Sequence, residues 1–230
     1  MALFALIHSP LVGPSIWAPV ADELRRRGAE VVVPDLGTAV DAGEPFWRQH
    51  ARAGAAVLQT LPAAGQPVLV GHSGAGVLLP PIRQEAGRPA AAYVFVDAGL
   101  PQDGPRLGAG EWAERLRALY AAGGRFPSWT DADLQPIVPD PEARRQLLAE
   151  LRPQPLAFWE EVIPIPAGWP DAPCAYLRFP PNPAYDAAAA QARQLGWPYA
   201  EIAGGHFHML VDPPAVAAAL LDLLRRLPAA

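Results

Sequence analysis

Val70-Gly71-His72-Ser73-Gly74-Ala75-Gly76 stands between an apolar run at 67–70 and the apolar stretch Val77-Leu78-Leu79. A serine set among residues this small, where a strand gives way to a helix, can sit on a turn sharp enough to push its hydroxyl out of the sheet, because larger neighbours would clash there. The segment therefore reads as a nucleophile elbow. Two other readings compete at this point: a Gly-rich turn with Ser73 as helix N-cap, and a phosphate cradle. The cradle lacks the Gly-Lys-Ser/Thr ending, and all 18 basic residues are arginines.

Apolar runs of strand length recur on both sides of this turn, at 2–7, 30–33, 67–70, 91–96, 174–178 and 199–202. Most show no polar alternation, as expected for strands covered on both faces in a parallel sheet. Helical patterns lie between them at 17–27, 45–61, 183–195 and 213–227, the first ending at Gly28 and the next two opening on proline. The expected fold is α/β, a mostly parallel six-stranded sheet with helices on both faces. Residues 1–99 and 173–230 form its core. The segment 100–172 contains no convincing strand and is rich in proline and tryptophan. Such a long excursion is read as a cap inserted after the fourth strand, with helices at 111–122 and 141–151. Trp112, Trp129 and Trp159 predict an apolar cleft beneath it.

With 230 residues, 51% of them hydrophobic, the chain is long enough for one well-buried domain. A net charge of -5, with arginines scattered in ones to threes, leaves no footprint for nucleic acid. No apolar run reaches the roughly 20 residues that a membrane span needs. The N-terminus lacks a basic leader, and a cytoplasmic location is expected. Cys174 is alone and reads as a small buried hydrophobe at a strand start, and no Cys/His spacing suggests a metal or a cofactor. The absence of lysine removes Schiff-base chemistry.

A serine hydroxyl needs a base, and the base needs a carboxylate to orient it. Of the five histidines, His206 is preferred, because it follows Gly204-Gly205 in the loop after the last strand. His208 begins an apolar run and is expected to pack inward, His72 to act structurally under the helix, and His50 to be solvated on a polar helix face. Asp97, at the end of the fourth strand, is the preferred acid, with Asp186 as its rival.

Three segments resemble the α/β-hydrolase superfamily: His8-Ser9-Pro10 with Gly13 and Trp17, Gly71-His72-Ser73-Gly74-Ala75, and Gly204-Gly205-His206 with Met209-Leu210 and Pro213. The resemblance is to the small esterase, methyl-esterase and hydroxynitrile-lyase branch. It implies hydrolysis of an ester, lactone or similar acyl bond in a small apolar molecule by Ser73, His206 and Asp97. The family more often carries its acid after the strand that follows the cap, and some dehalogenases carry it where Asp97 stands. Dehalogenases and epoxide hydrolases use an aspartate nucleophile, which Ser73 argues against. The resemblance also implies an oxyanion hole from Gly74 and the Ser9, Pro10 and Leu11 loop, with His8 beside the substrate. Proline has no N–H, so Pro10 removes the donor the family would place there. A silent ligand-binding protein and a lyase or C–C cleaving enzyme are the alternatives.

Overall fold

The computed structural model describes residues 2–39, 43–62 and 65–228. Six strands form one sheet: β1 (Leu3–Ile7), β2 (Glu30–Val32), β3 (Val68–His72), β4 (Ala92–Val96), β5 (Cys174–Arg178) and β6 (Tyr199–Glu201). All neighbours pair in parallel, in the order β2-β1-β3-β4-β5-β6. The four central strands are buried along their whole length, which is why their sequences carry no polar alternation.

Alternate residues of each strand feed opposite faces. Phe4, Leu6, Val68, Val70 and Val94 join a core with Trp17, Val20 and Leu24 of the first helical segment and Val216 and Leu220 of the last. Ala5, Ile7, Leu69, Tyr93 and Tyr176 join a second core with Ala51, Leu58, Leu79 and Ile82. Helices α1 (Ala18–Arg26) and α9 (Pro213–Arg225) therefore cover one face, and α2 (Phe46–Gln59), α3 (Leu79–Ala86) and α8 (Asp186–Gln194) the other. Gly28 takes φ 85° just past α1, the left-handed conformation that ends a helix at little cost to glycine. α9 opens with Asp212 accepting the Ala215 N–H at 3.0 Å ahead of Pro213-Pro214, so the two prolines lie where no intrahelical donor is needed.

The 100–172 excursion holds four helices: α4 (Glu111–Ala121), α5 (Asp131–Leu134), α6 (Pro141–Ala149) and α7 (Leu156–Glu160). It does not stand apart from the core. Leu107, Leu116, Tyr120, Phe158 and Trp159 belong to the same apolar cluster as β1 and α9. The Glu161 carboxylate accepts the Phe46 and Trp47 N–H groups at the start of α2, the latter at 3.0 Å.

One expectation fails at α2. His50 is fully buried, not solvated: its Nδ1 donates to the Leu36 carbonyl at 3.1 Å, and Phe158 from the excursion lies edge-on to its ring at 6.0 Å. A helix face that looks polar in isolation becomes interior once a distant segment folds over it.

Burial pushes the His50 imidazole down to about 4 and also depresses His72 and His8. These histidines fold neutral, while the unfolded chain takes up their protons below about pH 6.5. The contribution of His50 to stability is whole above that pH and declines as pH falls from about 6.5 toward about 4, and the lowered His72 and His8 act in the same direction. The urea midpoint is expected to fall across this window, and a flat midpoint would contradict the buried neutral histidines.

Among the described residues no helix is long and apolar enough to cross a membrane, and no three His, Cys, Asp or Glu side chains gather as a metal site.

Candidate active site

The chain runs from β1 to β2 on one side and then returns to place β3 on the other. A crevice opens outside the carboxyl ends of strands at such a reversal, and here those ends carry the Ser9 loop and Ser73. Asp97 follows β4 and His206 follows β6 on the same rim.

Ser73 sits at φ 59°, a strained backbone for any residue with a side chain, at the junction of β3 and a 3-10 turn, Ser73–Leu78, that leads into α3. The small neighbours are a packing requirement. A first side-chain carbon on Gly76 would lie 2.1 Å from the Gly99 carbonyl oxygen, and one on Gly71 would lie 2.9 Å from Leu79. Side chains at either position would force this turn away from its neighbours.

Asp97 also has positive φ, 42°, and is fully buried. Its Oδ1 accepts from the Arg178 guanidinium and from the Phe179 N–H at 3.2 Å; its Oδ2 accepts from Asn182 Nδ2 at 2.7 Å and from His206 Nδ1 at 2.6 Å. An ionised carboxylate can only accept, so Nδ1 of His206 carries the proton and Nε2 is left as the basic nitrogen. Four donors on one interior carboxylate offset the cost of burying it. Asp186, the rival acid, instead meets Arg178 at 2.7 Å from the first residue of α8.

The His206 ring lies beside three others, Tyr185 at 5.4 Å and nearly parallel, Phe207 at 5.1 Å, and His72 at 4.4 Å. His72 Nε2 donates to the His206 carbonyl at 2.9 Å, so the buried imidazole of residue 72 anchors the backbone of residue 206. Gly205 takes φ 85°, and a side-chain carbon on Gly204 would lie 2.0 Å from His208 Nδ1. The paired glycines let the chain turn tightly enough to present residue 206 while His208 packs against Phe179 at 5.7 Å.

The Ser73 hydroxyl has a partner that the sequence did not reveal. It hydrogen-bonds the Tyr185 phenol at 2.9 Å, and the structure contains no hydrogen bond between Ser73 and His206. Burial pushes the Tyr185 phenol up to about 12, so at neutral pH it keeps its proton.

On the other side of Ser73, Leu11 N donates to Ser9 Oγ at 3.3 Å, which engages the Leu11 N–H and leaves the Ser9 proton free. The open side of Gly74 faces Ser9 Oγ, Pro10 Cδ and Arg106 Nη1: a side-chain carbon there would lie 3.2, 3.8 and 3.9 Å from them. His8 does not reach this space. It is fully buried, with Nδ1 at 2.8 Å from the Ser9 carbonyl and Nε2 accepting from Leu36 N at 3.0 Å, so main chain occupies both ring nitrogens.

The tryptophans gather around Phe126: Trp112 at 5.2 Å, Trp129 at 5.5 Å and Trp159 at 5.8 Å. Trp159 also donates to the Tyr120 hydroxyl at 2.9 Å. The cluster reaches the site through Trp129, 5.6 Å from Phe207 next to His206. A small cavity of about 40 Å³ opens elsewhere, beside Arg106, lined also by Val77, Gln102 and Ile163.

Comparison with known proteins extends these observations. The profile of the alpha/beta hydrolase family matches residues 4–219. Solved structures of similar fold include an extracellular alpha/beta-hydrolase from a Paenibacillus species, at 20% identity and TM-score 0.76, with 97% of this chain and 99% of that chain covered. A methylesterase from Arabidopsis is 18% identical with TM-score 0.70, covering 98% and 99% of the two chains. Methylketone synthase I from tomato, complexed with 2-tridecanone, is 19% identical with TM-score 0.71, covering 99% of each. No curated protein sequence matches this chain.

Proposed function

Since this chain belongs to the alpha/beta hydrolase family, we propose that it cleaves an ester, lactone or similar acyl bond of a small molecule through Ser73, His206 and Asp97. The observation that carries the reading is the 2.6 Å contact between His206 Nδ1 and the buried Asp97, on the same sheet rim as a strained serine. An imidazole whose Nδ1–H is held in this way presents a basic Nε2.

The reaction begins when the substrate carbonyl enters beside Ser73 and the hydroxyl leaves Tyr185 for His206. Nε2 takes the serine proton as Oγ bonds the carbonyl carbon, and Asp97 stabilises the imidazolium. The Gly74 N–H and the free Ser9 hydroxyl proton receive the oxyanion, with Ser9 replacing the N–H that Pro10 lacks. The imidazolium then protonates the leaving oxygen, the acyl group remains on Ser73, and water attacks it by the same route in reverse. The 100–172 segment serves as the cap over the substrate. Ester cleavage is also the chemistry for which the similarly folded Arabidopsis methylesterase is named.

Ser9→Ala is expected to lower kcat by about 100-fold, the effect of removing one oxyanion donor, with KM little changed. Unchanged kcat would remove Ser9 from the mechanism. The function itself is tested by mixing enzyme with 4-nitrophenyl acetate: a burst of nitrophenol with an acetyl adduct mapped to Ser73 is expected. A second reading is favoured by the Tyr185 hydrogen bond on Ser73 and by the missing Pro10 N–H: a lyase in which His206 acts as base and Ser73 is never acylated. Product formation without an acyl adduct selects that reading. Neither product nor adduct from any ester selects a silent ligand-binding protein.

A further inference from the structure

Arg106 is the one charged group near the nucleophile that the proposed mechanism leaves unused. It enters the site from the excursion, just after the isolated bridge between Pro105 and Val162. Its backbone N–H donates to the Glu161 carbonyl at 2.9 Å. Its guanidinium makes no hydrogen bond or ion pair with any described residue, and Nε and Nη2 are sealed from solvent. One flat face lies on the Phe158 ring, 4.0 Å from the guanidinium carbon to the centroid. The third nitrogen, Nη1, faces Gly74, the residue after the nucleophile.

This arrangement does not balance as a purely structural one. A guanidinium with two of its three nitrogens sealed from solvent is costly unless a carboxylate or several acceptors meet those N–H groups, and an aromatic face offsets only part of that cost. The nearest acid it senses, Glu161, spends its carboxylate on the start of α2. Desolvation lowers the Arg106 group to about 10, and it still carries its charge at neutral pH. The cavity of about 40 Å³ beside it leaves room for a few atoms.

We infer that Arg106 is the receptor for a carboxylate on the substrate, so that the preferred substrate is an acyl compound whose short chain ends in an anionic group within reach of Gly74. This rests on the proposed acyl cleavage at Ser73. The planar fork of a guanidinium matches a carboxylate bidentately, and burial at both ends strengthens that pair. A neutral substrate would leave the cation unpaired, so charge becomes a criterion of selection.

The test compares 4-nitrophenyl valerate with mono-4-nitrophenyl glutarate, which have the same leaving group and chain length and differ in the terminal methyl or carboxylate. The wild type is expected to favour the glutarate in kcat/KM by at least about 10-fold. In Arg106→Gln that ratio is expected to fall by about 30-fold or more, as for truncation of a buried charge pair. Arg106→Lys keeps the charge and should recover part of it. A wild type with no preference overturns the inference without any substitution. An equal loss on both esters overturns it too, assigning Arg106 to the oxyanion. Binding of monomethyl glutarate to Ser73→Ala, measured by calorimetry, separates this inference from the acyl-cleavage reading. Binding that disappears on adding Arg106→Gln supports the carboxylate site even if no ester is hydrolysed, and no binding overturns it.

Discussion

Replacing Ser73 by alanine is expected to lower kcat on an activated ester by about 10⁵- to 10⁶-fold, the scale seen when the nucleophile of a triad is removed. The fold should survive. The hydroxyl makes one hydrogen bond, to Tyr185, and its net worth is about 1 kcal/mol. Glycine offers a sharper control, because residue 73 holds φ 59° and a side chain there costs about 1–2 kcal/mol that glycine avoids. Ser73→Gly should be as inactive as the alanine variant yet melt no lower than the wild type. Calorimetric melting alongside ester turnover checks both halves, and a glycine variant that retains turnover contradicts the assignment.

Asp97→Asn is expected to damage activity and stability together. An amide offers an N–H where His206 needs an acceptor, so the imidazole loses the partner that holds Nδ1 protonated, and kcat should fall by about 10⁴-fold. Its other oxygen meets Arg178, which is 3% exposed in its side chain. Removing one charge of an interior pair leaves the other uncompensated, at about 3–5 kcal/mol. Asp186, still 2.7 Å from Arg178 but largely exposed, should soften that loss. Asp186→Asn, by contrast, should leave kcat within about threefold, because the exposed Asp186 meets Arg178 and not His206, and Arg178 keeps Asp97. If Asp186→Asn were the inactive variant and Asp97→Asn the active one, the two carboxylates would have to exchange roles. Urea titration and steady-state kinetics on the two variants decide this.

The sheet was legible because each central strand is covered on both faces and therefore spells an unbroken apolar run, and the elbow because its close approaches admit only small residues. The placement of Asp97 and His206 on one rim followed from strand ends alone. What could not be read were contacts between distant segments. Arg178 looks like a misplaced charge in β5 until Asp97, from another strand, comes to lie beside it. Tyr185 and Asn182 come from the proline-rich loop after β5, whose path no periodicity encodes, and they lie against Ser73, Asp97 and His206. His50 and Arg106 depend on Phe158, whose position is set by the fold of the 100–172 excursion. The tryptophans announced an aromatic cluster but not its centre, Phe126.

The central claim, that Ser73 is a nucleophile activated by His206, is tested most directly by reacting the protein with a fluorophosphonate and reading the modified residue by peptide mass spectrometry. The expected result is one adduct, on Ser73, formed quickly at neutral pH and at least about 100-fold more slowly in His206→Ala. No adduct, or one formed at the same rate without the imidazole, would contradict it.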